Sequence, residues 1–205
     1  MTDNKLTKSA GEHWVCAVLS RLGWAAALTR DGIARTDILA VHENGRHVSI
    51  QVKTSSPAKA PRFVTGSKCL APAVATNEYF VLVVLSSIEW GSPNAFVVPR
   101  DHLAAAVWIE HQEWLTNPTA PAGKRNTPIT GARTSARVFA RYEQRWDLLD
   151  QPTDRLPVLL PPRFRALSRD PRVLLPPNHS WTNAKPVWDV SSTDPAWSEW
   201  LATEP

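Results

Sequence analysis

Apolar residues first recur at helical spacing. Val15, Val18, Leu19 and Leu22 fall at i, i+3, i+4 and i+7, and Gly23 follows them. That spacing predicts a helix over 9–22 with glycine as its stop. Strand-like runs then cover 25–29, 36–42 and 47–54. The continuous apolar run 79–85 reads as a strand buried on both faces. A short strand at 95–98 is ended by Pro99, and helices are predicted over 101–115, with Asp101 as N-cap, and over 133–149. The order α-β-β-β-β-β-α-α gives an α/β or α+β domain.

Asn44-Gly45, between two alternating runs, marks a hairpin. A two-residue loop would pair Asp37 with Val52 and mix polar with apolar side chains. A three-residue loop, Glu43-Asn44-Gly45, pairs Ile38 with Ile50 and Ala40 with Val48. We adopt the second register because it buries like with like. It sets Asp37 opposite Gln51, with Lys53 two residues further along the same face. Glu12 lies three, four and seven residues before Val15, Cys16 and Leu19, on the apolar stripe of the first helix. An inward carboxylate needs a cation or a proton. A capping box, Ser9-Ala-Gly-Glu12, is the competing explanation for Glu12.

Glu12 on an N-terminal helix, Asp37 on a strand and Gln51-Val52-Lys53 after a hairpin resemble the PD-(D/E)xK nuclease superfamily. Within it, the spacing is similar to archaeal Holliday-junction resolvases and Mrr-type restriction endonucleases. The likeness runs over about residues 8–56 and is weaker through Val98. It implies a restriction-endonuclease-like fold, a mixed central sheet flanked by helices. It also implies Mg²⁺-dependent (or Mn²⁺-dependent) hydrolysis of phosphodiester bonds, with DNA as the expected partner and RNA not excluded. Under that likeness Glu12, Asp37, Gln51 and Lys53 are the catalytic candidates. Asp37, Gln51, the Val52 carbonyl and Glu12 would supply the oxygen ligands such a cation prefers. Lys53 would position or deprotonate the attacking water. Most members have a carboxylate where Gln51 stands. A neutral amide weakens metal affinity and favours one metal over two.

Arg30, Arg35 and Thr54 border these positions and are candidate phosphate contacts. Arg133, Arg137, Arg141 and Arg145 repeat every four residues. On a helix they form one ridge, with Lys124 and Arg125 upstream, able to follow a phosphate backbone. The histidines (13, 42, 47, 102, 111 and 179) form no HxH or HxxxH pair, and no Walker or GxSxG motif occurs.

Charge sharpens the division of the chain. Residues 1–150 hold 17 basic and 13 acidic residues, so the net charge of +4 resides there. Residues 151–205 hold 10 of the 18 prolines and 4 of the 10 tryptophans. We read 1–150 as the nuclease-like domain and 151–205 as a Pro/Trp-rich extended segment, strapped over the domain or over a protein partner. Two cysteines exclude a disulfide framework and, with no apolar leader or membrane span, suggest the cytoplasm. A nuclease acting in defence, recombination or repair is the leading expectation. A homodimer is left open. The alternatives are an antibacterial nuclease toxin and a catalytically silent module of the same fold that binds nucleic acid or serves in assembly.

Overall fold

The computed structural model describes residues 4–30, 35–121, 123 and 125–189. Its centre is a five-stranded mixed sheet flanked by helices. The strands are β1 (Trp24–Leu28), β2 (Ile38–His42), β3 (His47–Ser55), β5 (Glu78–Val84) and β6 (Asn94–Pro99), in the order β1-β2-β3-β5-β6. Only β3 and β5 are parallel. β5 is apolar after Glu78 and buried up to Val83, as expected of a central strand covered on both faces. Helix α1 (Asn4–Arg21) lies against β1, β2 and β3. Helix α2 (Arg100–Thr116) packs against β5 and β6. A hypothetical side chain on Gly11 of α1 would strike Thr54, whereas Arg100 at the start of α2 meets Gln51. Residues 51 and 54 alternate across β3, so the two helices approach it from opposite faces.

The hairpin adopts the three-residue loop. Ile38 pairs with Ile50 and Ala40 with Val48. The His42 amide donates to the Arg46 carbonyl at 2.8 Å, and Gly45 takes the left-handed conformation (φ 83°) that closes this loop. Gly23, also left-handed (φ 85°), ends α1 as the sequence predicts.

Three expectations are corrected. First, α1 begins at Asn4, so Ser9 is an interior residue whose Oγ lies 3.3 Å from His13 Nδ1, and no capping box forms. Second, Asp101 lies inside the first turn of α2. Its carboxylate accepts from the Ala73 amide at 2.8 Å, and Pro99 occupies the N-cap position without a side-chain bond.

The third correction is the helix over 133–149, which does not form. Residues Arg133–Ser135 make β7, antiparallel to β4 (Arg62–Val64), and two 3₁₀ segments follow at Ala136–Tyr142 and Trp146–Asp150. Phe139 leaves helical geometry, Gln144 is left-handed (φ 52°), and the Gln144 amide donates to the Ala95 carbonyl at 2.8 Å. Pairing with β4 and docking on β6 thus outcompete local helix propensity. The chain still buries Ala136, Val138, Phe139 and Tyr142.

The core continues beyond Asp150 through Leu156, Val158, Leu159, Leu160, Phe164 and Val173. Short helices α3 (Pro162–Leu167) and α4 (Ser180–Asn183) interrupt this otherwise irregular segment. The Leu159 amide donates to the Tyr142 hydroxyl at 2.9 Å, which itself lies 2.9 Å from His102 Nδ1. Trp181 and Trp188 pack edge to face at 5.5 Å. Trp197 and Trp200 lie outside the described residues. Among the described residues no helix is long and apolar enough to cross a membrane.

Burial lifts the Glu110 carboxyl on α2 to about 7, against the opposing charges of Arg163 and Arg62. Its folded value exceeds the unfolded one of 4.5. Its stabilising contribution is therefore present below pH 4.5 and is lost as pH rises through about 7, by about 3 kcal/mol at most. Glu110→Gln should flatten this slope in urea unfolding across that window. An unchanged slope would contradict the burial of this carboxyl.

Candidate active site

The hairpin register and the approach of α1 assemble one cleft of about 780 Å³. Glu12, Arg30, Arg35, Asp37, Gln51, Val52, Lys53 and Thr54 all line it. Asp37 sits just before β2. Its amide donates to the Ile50 carbonyl at 2.9 Å, and its Oδ2 accepts from the Val52 amide at 2.8 Å. This fixes the carboxylate and leaves Oδ1 toward α1. The N–H and C=O of one strand residue point to the same side, so the Val52 carbonyl also faces Asp37.

Glu12 reaches the same place because α1 lies unusually close to β3. A Cβ on Gly11 would come within 2.0 Å of Thr54 Oγ1 and 3.0 Å of Thr54 Cβ. Only glycine permits this approach. The Glu12 and Asp37 side chains are only 13% and 19% exposed. Between them lies the Lys8 ammonium, 3.2 Å from Glu12 Oε1 and 3.8 Å from Asp37 Oδ1. That ion pair apart, the buried Glu12 Oε1 has no hydrogen-bond partner. Burial raises the Glu12 pKa; Lys8 works against the shift, and the Asp37 charge adds to it. The two carboxylates therefore converge on a cation that the chain itself supplies.

Gln51 is buried, and its Oε1 accepts from Arg100 Nη2 at 3.3 Å. Arg100 is 1% exposed and lies over the Phe80 ring at 4.5 Å. Its Nε is 2.7 Å from Glu78 Oε2, and its Nη2 donates to the Arg35 carbonyl at 2.8 Å. Arg35 is left-handed (φ 79°); its guanidinium bonds the Pro72 carbonyl and lies 3.1 Å from Glu78 Oε2. Burial lowers the Arg100 pKa, with Glu78 opposing. Buried Glu78 and Arg100, with half-buried Arg35, anchor the backbone two residues before Asp37. Lys53 is half-buried in the cleft and forms no salt bridge among the described residues.

The basic ridge is not assembled. Arg133 and Arg137 are exposed on β7 and the following 3₁₀ segment. Arg141 is tied to Asp189 at 2.5 Å, and Arg145 to Asp147 at 2.7 Å. Arg125 donates to the Trp114 carbonyl, and Lys124 lies outside the described residues. Sequence reasoning missed Lys8, Glu78 and Arg100. Lys8 alone left a signal, four residues before Glu12 on one helix face.

Among the described residues no three His, Cys, Asp or Glu side chains cluster as a metal site. Two carboxylates do, and the third and fourth oxygens available are an amide and a backbone carbonyl. The fit to a hard divalent cation is therefore supported by the paired carboxylates and the ammonium they already hold. Gln51 could join only through its second oxygen lone pair, because Arg100 uses the first.

No protein-family model matches the chain, and a comparison with curated proteins finds no match. A search of solved structures finds the structure of a bacterial homing endonuclease, I-Ssp6803I. It is 12% identical, with 73% of this chain and 92% of that chain covered, at a TM-score of 0.44. A likeness that loose carries no argument about this chain.

Removing Glu78 would strand Arg100 in the interior. Glu78→Ala should cost about 3–5 kcal/mol in denaturant unfolding. A cost below about 1 kcal/mol, the range of an exposed pair, would show that the Glu78–Arg100 pair is not buried as described.

Proposed function

We propose that this chain is a metal-dependent nuclease that hydrolyses phosphodiester bonds of DNA. The observation that carries the reading is the convergence of Glu12, Asp37, Gln51 and Lys53 on one cleft, with a cation held between the two carboxylates. Glu12, Asp37 and the Val52 carbonyl would hold Mg²⁺ or Mn²⁺, with Gln51 as a weaker donor. Once bound, the ion would polarise the scissile phosphate and acidify a water. Asp37 is fixed for this task by the Val52 amide, and Glu12 by the Gly11–Thr54 approach. Lys53 would orient the attacking water and offset the charge that develops on the phosphate oxygens. Arg30 is exposed at the cleft where a phosphate backbone would enter, whereas the Arg35 guanidinium is already held by Glu78 and the Thr54 hydroxyl is buried beneath Gly11.

One observation favours a second reading. The Gln51 oxygen is already engaged by Arg100, as in a site kept for binding and not for catalysis. The silent nucleic-acid-binding module therefore stands as the alternative.

The purified protein is incubated with supercoiled plasmid, linear duplex, single-stranded DNA and RNA, each with Mg²⁺, Mn²⁺ or EDTA. Metal-dependent cleavage of DNA that falls at least about a hundredfold in Lys53→Ala is expected. Preferred cleavage of RNA would correct the substrate. DNA binding without cleavage, unchanged by EDTA, would move the assignment to the silent module.

Lys8 gives a separate readout. An ion entering the cleft must displace its ammonium, so Lys8→Ala should tighten Mn²⁺ binding about tenfold in calorimetry. Asp37→Ala should abolish that binding. Equal Mn²⁺ affinity in all three proteins would exclude the cleft as the metal site.

A further inference from the structure

A second cleft of about 750 Å³ lies between α2, α3 and the β4–β7 ribbon. Its size is that of a small-molecule site. Four arginines line it, Arg62, Arg125, Arg133 and Arg163, against two glutamates, Glu110 and Glu113. Arg62 and Arg133 are exposed at its mouth, and neither forms a salt bridge among the described residues. The Arg62 guanidinium instead donates to the Arg133 carbonyl at 3.2 Å, which holds the two residues together.

The interior has a different chemistry. His111 is 7% exposed, and its Nε2 is buried without a hydrogen-bond partner. Beside it, the Glu110 carboxyl is buried against the Thr134 hydroxyl, with the opposing charges of Arg163 and Arg62 nearby. The His111 nitrogen lines the cleft without a partner in the chain and is open to a hydrogen bond from a ligand. Trp114 forms an aromatic wall 5.9 Å from the His111 ring, and Arg125 steadies it from 5.6 Å. A cationic mouth, a polar floor with an imidazole nitrogen open to a hydrogen bond and an aromatic wall describe one ligand chemistry. The ligand carries a phosphate at one end and a flat ring with hydrogen-bonding edges at the other.

We infer that this cleft binds a nucleotide unit, with its phosphate on Arg62 and Arg133 and its base against His111, Glu110 and Trp114. The unit is either a free mononucleotide or one unstacked nucleotide of a single strand. The site shares no lining residue with the Asp37 cleft, so it does not depend on the nuclease reading.

Calorimetric titrations of the full chain with deoxynucleoside monophosphates, short single-stranded DNA and inorganic phosphate test this. Binding of a nucleotide more tightly than phosphate is expected. Arg133→Ala and Arg62→Ala should each weaken it at least about tenfold. Arg133 is exposed, so its variant should keep the parent melting temperature and remain a fair test if Arg62→Ala folds poorly. Asp37→Ala should leave this binding unchanged, which separates it from any strand held in the first cleft. Equal affinity for mononucleotide and strand identifies the free nucleotide as the ligand, whereas binding of the strand alone identifies a nucleic-acid contact. No binding up to millimolar concentration, phosphate bound as tightly as nucleotide, or insensitivity to both arginine variants would each overturn the inference.

Discussion

Val48, Ile50 and Val52 must face the core if β3 is to lie at the centre of the sheet, and this requirement sets the position of the strand-borne groups in the first cleft. Alternation then sends Gln51 and Lys53 to the other face. The three-residue turn through Gly45 holds β2 in the register that places Asp37 beside Val52. A slip of one residue would turn the apolar set outward, so the penalty for misplacing Asp37 is the loss of the core itself. Hydrophobic burial thus sets the register of the cleft, and polar contacts such as that from the Val52 amide then fix its side chains.

The electrostatics of the cleft follow from what each charge could find nearby. Glu12 and Asp37 share the Lys8 ammonium, and Glu78 neutralises Arg100. Lys53 is the charged group of the cleft's central strand left without a salt bridge among the described residues. A preorganised free ammonium is suited to a charge that appears only during a reaction.

The hairpin, its register and the residues lining the cleft were legible because they are written locally, in alternation and in a glycine-bearing turn. Glu12 was legible through its place on the stripe of Val15 and Leu19. The contacts that brace the site were not. Glu78 and Arg100 meet because β5 and the start of α2 converge, and neither residue signals the other in sequence. The segment 133–149 misled for the opposite reason. Its arginines repeat at helical spacing, yet β4 and Ala95 offered backbone partners that a helix would have forgone. Long-range pairing overrode a local pattern, while its buried apolar positions kept their role.

The His102–Tyr142–Leu159 hydrogen-bond chain has a consequence for cooperativity. Burial pulls the His102 pKa down to about 3, so the imidazole stays neutral and can keep its bond to the tyrosine at physiological pH. Together the two bonds join α2, the 3₁₀ segment Ala136–Tyr142 and the C-terminal segment. Opening any one of them strands a buried polar group in another. The described part of the segment after Asp150 is thus tied to the sheet by buried polar groups as well as by its apolar side chains.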